Sequence, residues 1–373
     1  MTLRTNETPP SAEGAPDGRA RRAKRPSASR PSTLHDVAAE AGVSTATVSR
    51  VLNGNYPVSA ATRTRVMAAV ESLRYVVNVH AKALAGNVEG PVALVIDNIL
   101  GASLAHIGAG VEQEASLHGR LSLVCATHGD RDREDDLVRL MLQQRAAAVV
   151  LVGGAIDDDA YHARISEYAR ALDAVGSRLV LCGRPTPPPG IPATVVDYDN
   201  RGGAFHAVSH LLMSGHRRIL YLGGVPGFST AEQRHDGYLD ALRAHAVPYA
   251  EELDLPGDFN RPLGYRRTQE AIASGLEFTA IFASADMVAV GAAAALRDAG
   301  LQIPEDISLI GFDDIPLSAE LTPALTTIRV PYEELGRTAV RLALQSHEGR
   351  SRSAERVIVS TQLMVRDTVR PLG

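Results

Sequence analysis

The sequence lacks tryptophan and has few cysteines and aromatic residues. Among its 373 residues there are ten Tyr, six Phe and two Cys, and Cys125 and Cys182 lie in separate apolar segments. This composition excludes a disulfide-stabilised secreted domain, and we expect two buried, reduced thiols. The shortage of rings also leaves few side chains on which a ligand could stack.

Long hydrophobic runs are also missing. No apolar run approaches the roughly 18 residues of a membrane-spanning helix, and the N-terminal residues contain no apolar signal core. With 45% hydrophobic and 22% charged residues, the composition is typical of a globular protein of two or three domains. We therefore expect a cytoplasmic protein without a membrane partner.

Charge is distributed unevenly along the chain. The net charge is −5, but residues 1–86 carry twelve Lys and Arg against six Asp and Glu, a net +6, and the remainder carries −11. A basic end on an acidic body indicates a nucleic-acid contact confined to that end. Residues 1–32 are predicted to form a disordered basic tail, which either touches phosphates or is only solvated.

Two short helices separated by a tight break are predicted within residues 33–53, TLHDVAAEAGVSTATVSRVLN. Thr33 and Asp36 form an acidic capping box, and Gly42 suits the left-handed end of the first helix. Ser44 can cap the second helix. This spacing is typical of a helix-turn-helix.

The second helix presents an outward face of small, hydrogen-bonding residues with one long cation. Such a face can enter a DNA major groove, where Arg50 can bond a guanine edge. The alternative is a solvated helix in an ordinary helical bundle. The candidate DNA-contacting residues of this helix are Ser44, Thr45, Ala46, Thr47, Ser49, Arg50 and Asn53.

The run D-V-A-x-x-A-G-V-S-x-x-T-V-S-R-V-L-N, which begins at Asp36, resembles the head of lactose-repressor (LacI/GalR) family regulators, and the similarity continues to the C-terminus. The resemblance implies a head over residues 33–76 and a transcription regulator, most simply a repressor. It also implies a homodimer or tetramer, an inverted-repeat operator in double-stranded DNA, and a small-molecule effector.

The resemblance further implies a hinge over residues 77–88 that becomes helical on DNA. Val77 stands where the family usually has proline, which weakens the helix start. A plain linker is the alternative. The candidate DNA contacts of the hinge are Asn78, Ala81, Lys82 and Leu84.

From residue 90 onward, short apolar strands such as Val92–Ile96 alternate with helical segments. Continuous apolar strands of this kind indicate buried parallel sheets. The sequence thus predicts an α/β body, residues 89–373, of two doubly wound parallel-sheet subdomains beside a small all-α head. By resemblance the body is periplasmic-binding-protein-like. Its expected parts are residues 90–213 and 330–350 in the first subdomain, and 215–328 and 351–373 in the second.

Polar residues that follow the predicted strands are the candidate effector ligands, because open α/β sheets bind ligands there. Arg234 and Asp313 lie in segments that resemble the family's R-x-x-G-[YFW] and G-[FY]-D-D turns. By resemblance they bind effector oxygens from loops, unpaired until a polar effector arrives; otherwise they only hold the loops. The candidate effector-binding residues are Asp97, Asn98, Asp130, Arg234, Ser284, Asp286 and Asp313.

No cofactor, metal or catalytic site is expected. The loop at Gly223 lacks the G-x-G-x-x-G spacing, and His206 and His210 lack the glutamate of a zinc-protease helix. An exported solute-binding protein and a nicotinamide-dependent enzyme are the alternatives, which the head and the missing glycine pattern disfavour. Departures from the family at Ala285 and Val330 predict an unusual or smaller effector.

Overall fold

The structure, a computed structural model, describes residues 32–53, 57–75, 90–345 and 355–372. The chain divides into two compact units between Ala85 and Gly86. No helix in these described ranges is long and apolar enough to cross a membrane. The predicted hinge contacts Asn78, Ala81, Lys82 and Leu84, and the predicted tail except Ser32, lie outside the described residues.

The first unit contains the predicted helix-turn-helix. Thr33 Oγ1 accepts from the Asp36 amide, and the Asp36 carboxylate accepts from the Thr33 amide at 2.7 Å. Gly42 adopts a left-handed φ of 63°, and Ser44 Oγ accepts from the Thr47 amide at 3.2 Å. The predicted capping residues are therefore confirmed. The helices are α1 (Leu34–Ala41), α2 (Thr45–Asn53) and α3 (Ala60–Ser72).

The core of this first unit consists of small apolar side chains. Valine and alanine fill it, and so few residues bury little apolar area. We therefore expect this unit to be marginally stable by itself. The buried residues are Val37, Ala38, Ala41, Val48, Val51, Val66 and Ala69.

A six-stranded parallel sheet forms the first subdomain of the second unit, with strand order β11-β5-β4-β3-β1-β2. Its central strands are completely buried, which explains their uninterrupted apolar sequences. The strands are β1 (Val92–Ile96), β2 (Ser122–Ala126), β3 (Ala148–Val152), β4 (Arg178–Cys182), β5 (Ala193–Tyr198) and β11 (Arg356–Val359). The helices packed on it are α4 (Ala102–Leu117), α5 (Arg131–Gln143), α6 (Asp159–Ala174) and α12 (Tyr332–Gln345).

A four-stranded parallel sheet, in the order β7-β6-β8-β9, forms the second subdomain. Its strands are β6 (Ile219–Leu222), β7 (Asp254–Leu255), β8 (Ala280–Ala283) and β9 (Ser308–Ile310). Its helices are α7 (Asn200–Met213), α8 (Ser229–Ala244), α9 (Arg261–Ala273), α10 (Asp286–Asp298) and α11 (Pro316–Glu320). An antiparallel pair, β10 (Thr327–Arg329) and β12 (Gln362–Met364), accompanies it. The predicted fold class is confirmed.

Two details differ from the predicted subdomain boundaries. Strand β11 pairs in parallel with β5, so residues 351–373 do not all belong to the second subdomain. Helix α7 packs against α8, β8, β10 and β12, so the second subdomain begins before residue 215. Hydrophobic periodicity predicts an element but not which sheet it joins, and β11 is a half-exposed edge strand.

The two cysteines differ in burial. Cys182 on β4 is buried as expected, whereas Cys125 on β2 is only half-buried, and both are free thiols. The reason is that β2 is an edge strand with one open side. Burial raises the pKa of both thiols, so each remains protonated at neutral pH.

The carboxylate of Asp286 holds three segments of the second subdomain together. Asp286 is fully buried at the start of α10. Its Oδ2 accepts from the Ile315 amide at 2.9 Å and from Ser318 Oγ at 2.6 Å. Its Oδ1 accepts from Thr327 Oγ1 at 2.5 Å. Burial, and then the nearby charge of Asp313, raise the pKa of Asp286.

We expect Asp286→Ala to lower the free energy of unfolding by about 2–4 kcal/mol, because three buried donors lose their acceptor. Folding raises the pKa of this carboxyl, so its contribution is complete below its unfolded pKa and declines as pH rises through the folded value. Urea unfolding should thus show a larger loss at about pH 4 than at about pH 8. Glu320→Ala, at an exposed position of α11, is the control and should change stability little.

Candidate ligand cleft and DNA-contacting face

A cleft of about 450 Å³ lies between the two subdomains, where the carboxyl ends of both sheets meet. Segments that follow β1, β3 and β4 form one wall, and helix α8 with the segments after β8 and β9 forms the other. This is the expected ligand position in open α/β folds. The polar residues that line it are Asp97, Asn98, Ser103, Tyr198, Thr230, Arg234, Asn260, Asp313 and Tyr332.

Arg234 and Asp313 form an ion pair in this cleft. Arg234 is 3% exposed, and its terminal nitrogen donates to Asp313 Oδ1 at 3.1 Å. The expectation that the two groups stand unpaired until a ligand arrives is therefore wrong. Arg234 also lies on helix α8 rather than on a loop. Arg234 and Asp313 pair because both are buried, and an isolated charge would be costly at this depth.

Further contacts fix the guanidinium of Arg234 in place. Its Nε donates to Asn200 Oδ1 at 2.9 Å, and a terminal nitrogen donates to the Ser284 carbonyl. The guanidinium carbon lies 3.8 Å from the centre of the Phe312 ring, within cation–π range. Burial disfavours the charge, but Asp313 outweighs it, so the pKa of Arg234 is raised and the side chain remains charged.

Asp313 is held in an unusual backbone conformation. Its φ is 114°, in a region that side-chain-bearing residues rarely adopt. Its amide donates to the Ile328 carbonyl at 2.8 Å, and its Oδ1 accepts from the Tyr332 hydroxyl at 2.7 Å. Burial raises the pKa of Asp313, against the opposing effect of Arg234. Residues with strained backbone of this kind are common at ligand sites.

Two tyrosines connect the ion pair to the first subdomain. Tyr198 ends β5 and Tyr332 begins α12. The Tyr198 hydroxyl lies 3.4 Å from a terminal nitrogen of Arg234, and Tyr332 donates to Asp313. A ligand that disturbs the pair would therefore act on both subdomains.

Contacts between the segment after β3 and the start of α8 join the two subdomains beside the cleft. Ile156 forms an antiparallel bridge with Phe228. The Ser229 amide donates to the Ala155 carbonyl at 2.9 Å, and the Ala155 amide donates to Ser229 Oγ at 3.3 Å. A side chain at Gly154 would place Cβ 2.8 Å from the Phe228 ring. Glycine at this position therefore permits the close approach of the two subdomains.

Four of the seven candidate effector residues line the cleft, namely Asp97, Asn98, Arg234 and Asp313. Ser284 and Asp286 do not line it, since both are fully buried. Both carboxylate oxygens of Asp286 accept hydrogen bonds from within the second subdomain. Asp130 caps α5, where its Oδ1 accepts from the Asp132 amide at 2.9 Å, and it lines a neighbouring cavity. Sequence position located the strand ends correctly but could not give side-chain direction.

The cleft is richer in aromatic rings than the composition predicted. Phe228, Phe259, Tyr198 and Tyr332 all line it, so the cleft has more stacking surface than the few side chains expected. The sequence analysis missed Phe259 and Asn260. Asn260 is recognisable from sequence, because it caps α9 at 2.9 Å from the Leu263 amide, with proline in the first turn.

The candidate DNA-contacting residues of α2 differ in exposure. Ser44, Ala46 and Arg50 are exposed, whereas Thr45, Thr47 and Ser49 are half-buried. The Ser44 and Thr47 hydroxyls lie 2.9 Å apart, so both take part in the helix cap. Asn53 ends the helix, and its side chain lies outside the described residues. Positions 46 and 50 share one helical face.

No group of three or more potential metal ligands occurs within the residues that the structure describes. His206 is exposed and His210 is half-buried on α7. Burial lowers the pKa of His210, which keeps it neutral.

A helix-turn-helix unit joined to a periplasmic-binding-protein-like unit defines a DNA-binding regulator. Residues 33–78 match the family of bacterial regulatory proteins named after LacI, and residues 208–369 match the periplasmic binding protein-like domain. The chain belongs to the LacI family of DNA-binding transcriptional regulators, and it is not an enzyme.

Relatives match nearly the whole chain. The transcriptional regulator GalS of Salmonella typhimurium is 34% identical over 85% of this chain and 90% of its own length. CelR of Thermobifida fusca is 33% identical over 90% and 98%, respectively. The lac repressor dimer bound to operator and the anti-inducer ONPF has a TM-score of 0.79 at 28% identity, covering 91% of this chain and all of that chain. A complex of CelR with cellobiose has a TM-score of 0.67 at 32% identity, with the same coverage.

We expect Arg234→Met to lower the free energy of unfolding by about 3–5 kcal/mol, because it leaves Asp313 buried without its partner. Adding Asp313→Asn to that variant should restore part of the loss, since a neutral amide is less costly to bury. A urea double-mutant cycle measures both effects. Arg243→Met, whose side chain is 71% exposed, is the control. Additive losses would contradict the proposed energetic coupling.

Proposed function

We propose that this regulator is a repressor that binds an inverted-repeat operator as a homodimer. In this proposal, a small polar effector, a sugar or related metabolite, occupies the cleft and controls operator affinity. The observation that carries the effector part is the ion pair of Arg234 and Asp313 in the cleft wall. A charged donor and a charged acceptor side by side suit a ligand rich in hydroxyl groups.

The aromatic lining supports a sugar-like effector. Phe228 and Phe259 line the same cleft as Arg234 and Asp313. Sugar rings have apolar faces and polar edges, so they fit a site that combines rings with charged hydrogen-bonding groups. The relatives give further support, because solved structures include a complex of CelR with cellobiose and the lac repressor dimer bound to operator and ONPF.

Control of DNA binding would follow from linkage. Tyr198 and Tyr332 connect the ion pair to the first sheet. An effector that bonds to the pair therefore contacts both subdomains and would change the angle between them. The effector can alter operator affinity only by its differential affinity for the two states of the body. Because linkage is reciprocal, binding of the operator changes the affinity for the effector by the same factor.

DNA contact would come from α2 and from the hinge. Arg50 and Ala46 are exposed on one face of α2, and the proposed hinge contacts Asn78, Ala81, Lys82 and Leu84 would add a minor-groove contact. Half-sites related by two-fold symmetry would place two such helices in successive major grooves. A regulator acting on the chromosome of a bacterium would work in the cytoplasm.

A solute-binding protein of the same body fold is the second candidate. Only the cleft favours this function, and the helix-turn-helix has no role in it. Fluorescence anisotropy with an operator enriched from random DNA distinguishes the two. A regulator binds the enriched sequence well above random DNA at moderate salt, whereas a solute-binding protein shows no preference.

We expect Arg50→Ala to reduce the preference for the enriched operator over random DNA by about 1–3 kcal/mol, the value of one bidentate base contact. Arg65→Ala, at an exposed position of α3, is the matched control. We expect Arg65 to contact a phosphate, so Arg65→Ala should weaken binding to both DNAs alike. Anisotropy titrations with both probes measure the ratio, and an unchanged ratio in Arg50→Ala would reject the assignment.

We expect Phe259→Ala to weaken binding of the sugar found by a thermal-shift screen by about 1–2 kcal/mol, because a stacking ring is lost. Operator affinity without that sugar should stay near wild type. Phe278→Ala, which removes a half-buried ring away from the cleft, is the control and should leave sugar affinity unchanged. Calorimetric titration decides, and equal affinities for all three proteins would remove Phe259 from the site.

A further inference from the structure

A second cavity of about 350 Å³ adjoins the ligand cleft. The two share the lining residues Asp97, Val152, Gly153, Gly154 and Phe228. The remaining walls of the second cavity come from the segments after β2, β3 and β4 and from helices α5 and α6. A ligand in the cleft could therefore extend a substituent into this cavity.

One buried and two half-buried charged side chains line the second cavity. Arg184 donates to both carboxylate oxygens of Glu134, at 2.7 and 3.3 Å. Arg164 Nε lies 3.8 Å from Glu134 Oε1. The Arg184 and Glu134 side chains are each 9% exposed, and that of Arg164 is 19% exposed. Two guanidinium groups against one carboxylate leave a net positive charge of one at this depth.

These guanidinium groups also have unused hydrogen-bonding capacity. The Nε atoms of Arg164 and Arg184 are buried and have no hydrogen-bond partner among the described residues. A buried donor without an acceptor destabilises the fold. A ligand that brings negative charge into the cavity balances the excess positive charge of this cluster.

Two other carboxylates line this cavity but weaken its positive charge little. Asp97 and Asp130 are both exposed, and water and salt screen exposed charges far more than buried ones. Asp130 Oδ1 already accepts from the Asp132 and Arg133 amides. The field inside the cavity is set mainly by Arg164, Arg184 and Glu134.

We propose that this second cavity binds the anionic group of the effector, a carboxylate or a phosphate ester, while its polyol part lies in the cleft against Arg234 and Asp313. The effector is thus a sugar acid or a sugar phosphate rather than a neutral sugar. Guanidinium groups suit both anions, because their fixed donors match two oxygens of either one. The inference rests on the proposed function, since it names the chemistry of that same effector.

The test is a calorimetric titration of the full chain with matched ligand sets. Each set contains a neutral hexose (glucose, galactose, mannose or fructose) with its uronic or aldonic acid and its 6-phosphate, and inorganic phosphate serves as an anion-only probe. We expect at least one acid or phosphate to bind ten-fold or more tightly than its neutral parent. Which of the two anions gains this advantage identifies the source of the charge.

Arg164→Met tests the cluster itself. It should reduce the advantage of the anionic ligand at least ten-fold and leave affinity for the neutral parent unchanged. Arg170→Met, at an exposed position of the same helix α6, is the matched control and should preserve the advantage. Arg164→Lys, which keeps the charge, should retain part of it and replaces the methionine variant if that protein does not fold.

Three results overturn the proposal. The first two are that neutral hexoses bind at least as tightly as their acids and phosphates, and that no anionic ligand of the set binds. The third is that the tighter binding of the anionic ligand survives Arg164→Met. The proposed function fails differently. If a neutral hexose alters operator binding, regulation by a sugar stands and only the anionic class is rejected. If the full chain shows no preference for the enriched operator, the proposed function is rejected whatever the sugar titrations give.

Discussion

The buried ion pair between Arg234 and Asp313 is the interaction on which the body of this regulator depends. Removing two charges from water is costly, and the attraction between them offsets that cost only when further hydrogen bonds are made. Asn200, Ser284 and Tyr332 supply those bonds. The cleft is therefore organised before any ligand binds, which lowers the entropy cost of binding.

The same pair connects the two subdomains. Each member of the pair is bonded by a tyrosine hydroxyl of the first subdomain, and the bridge between Ile156 and Phe228 joins the subdomains beside the cleft. The two subdomains are thus joined by several contacts around the ligand cleft. A ligand that competes with these contacts, or adds to them, binds the two states of the body with different affinity, which is the requirement for shifting their equilibrium.

The chemistry of the cleft differs from what composition implies. The chain is poor in aromatic residues, yet Phe228, Phe259, Tyr198 and Tyr332 gather around one site. Beside them, Arg164 and Arg184 share a single buried carboxylate. Loss of polar side chains at family positions such as Ala285 suggested a smaller effector, whereas the adjoining cavities leave room for a larger and charged one.

Local signals in the sequence were sufficient for the helix-turn-helix and for the buried strands. The capping box of Thr33 and Asp36 and the left-handed Gly42 set the helix-turn-helix, because these depend on residues only a few positions apart. The apolar run Val92–Ile96 correctly predicted a buried strand, because a parallel strand covered on both faces must be apolar throughout. The family resemblance of residues 33–53 was carried by the same local pattern.

Tertiary structure alone decided which side chains meet. Asp286 and Asp313 both follow strands, yet Asp286 turns into the subdomain while Asp313, at a φ of 114°, faces the cleft. The pairing of β11 with β5 and the pairing of Arg234 with Asp313 join residues far apart in the chain. Such contacts depend on how sheets and helices pack, and no periodicity along a sequence records that packing.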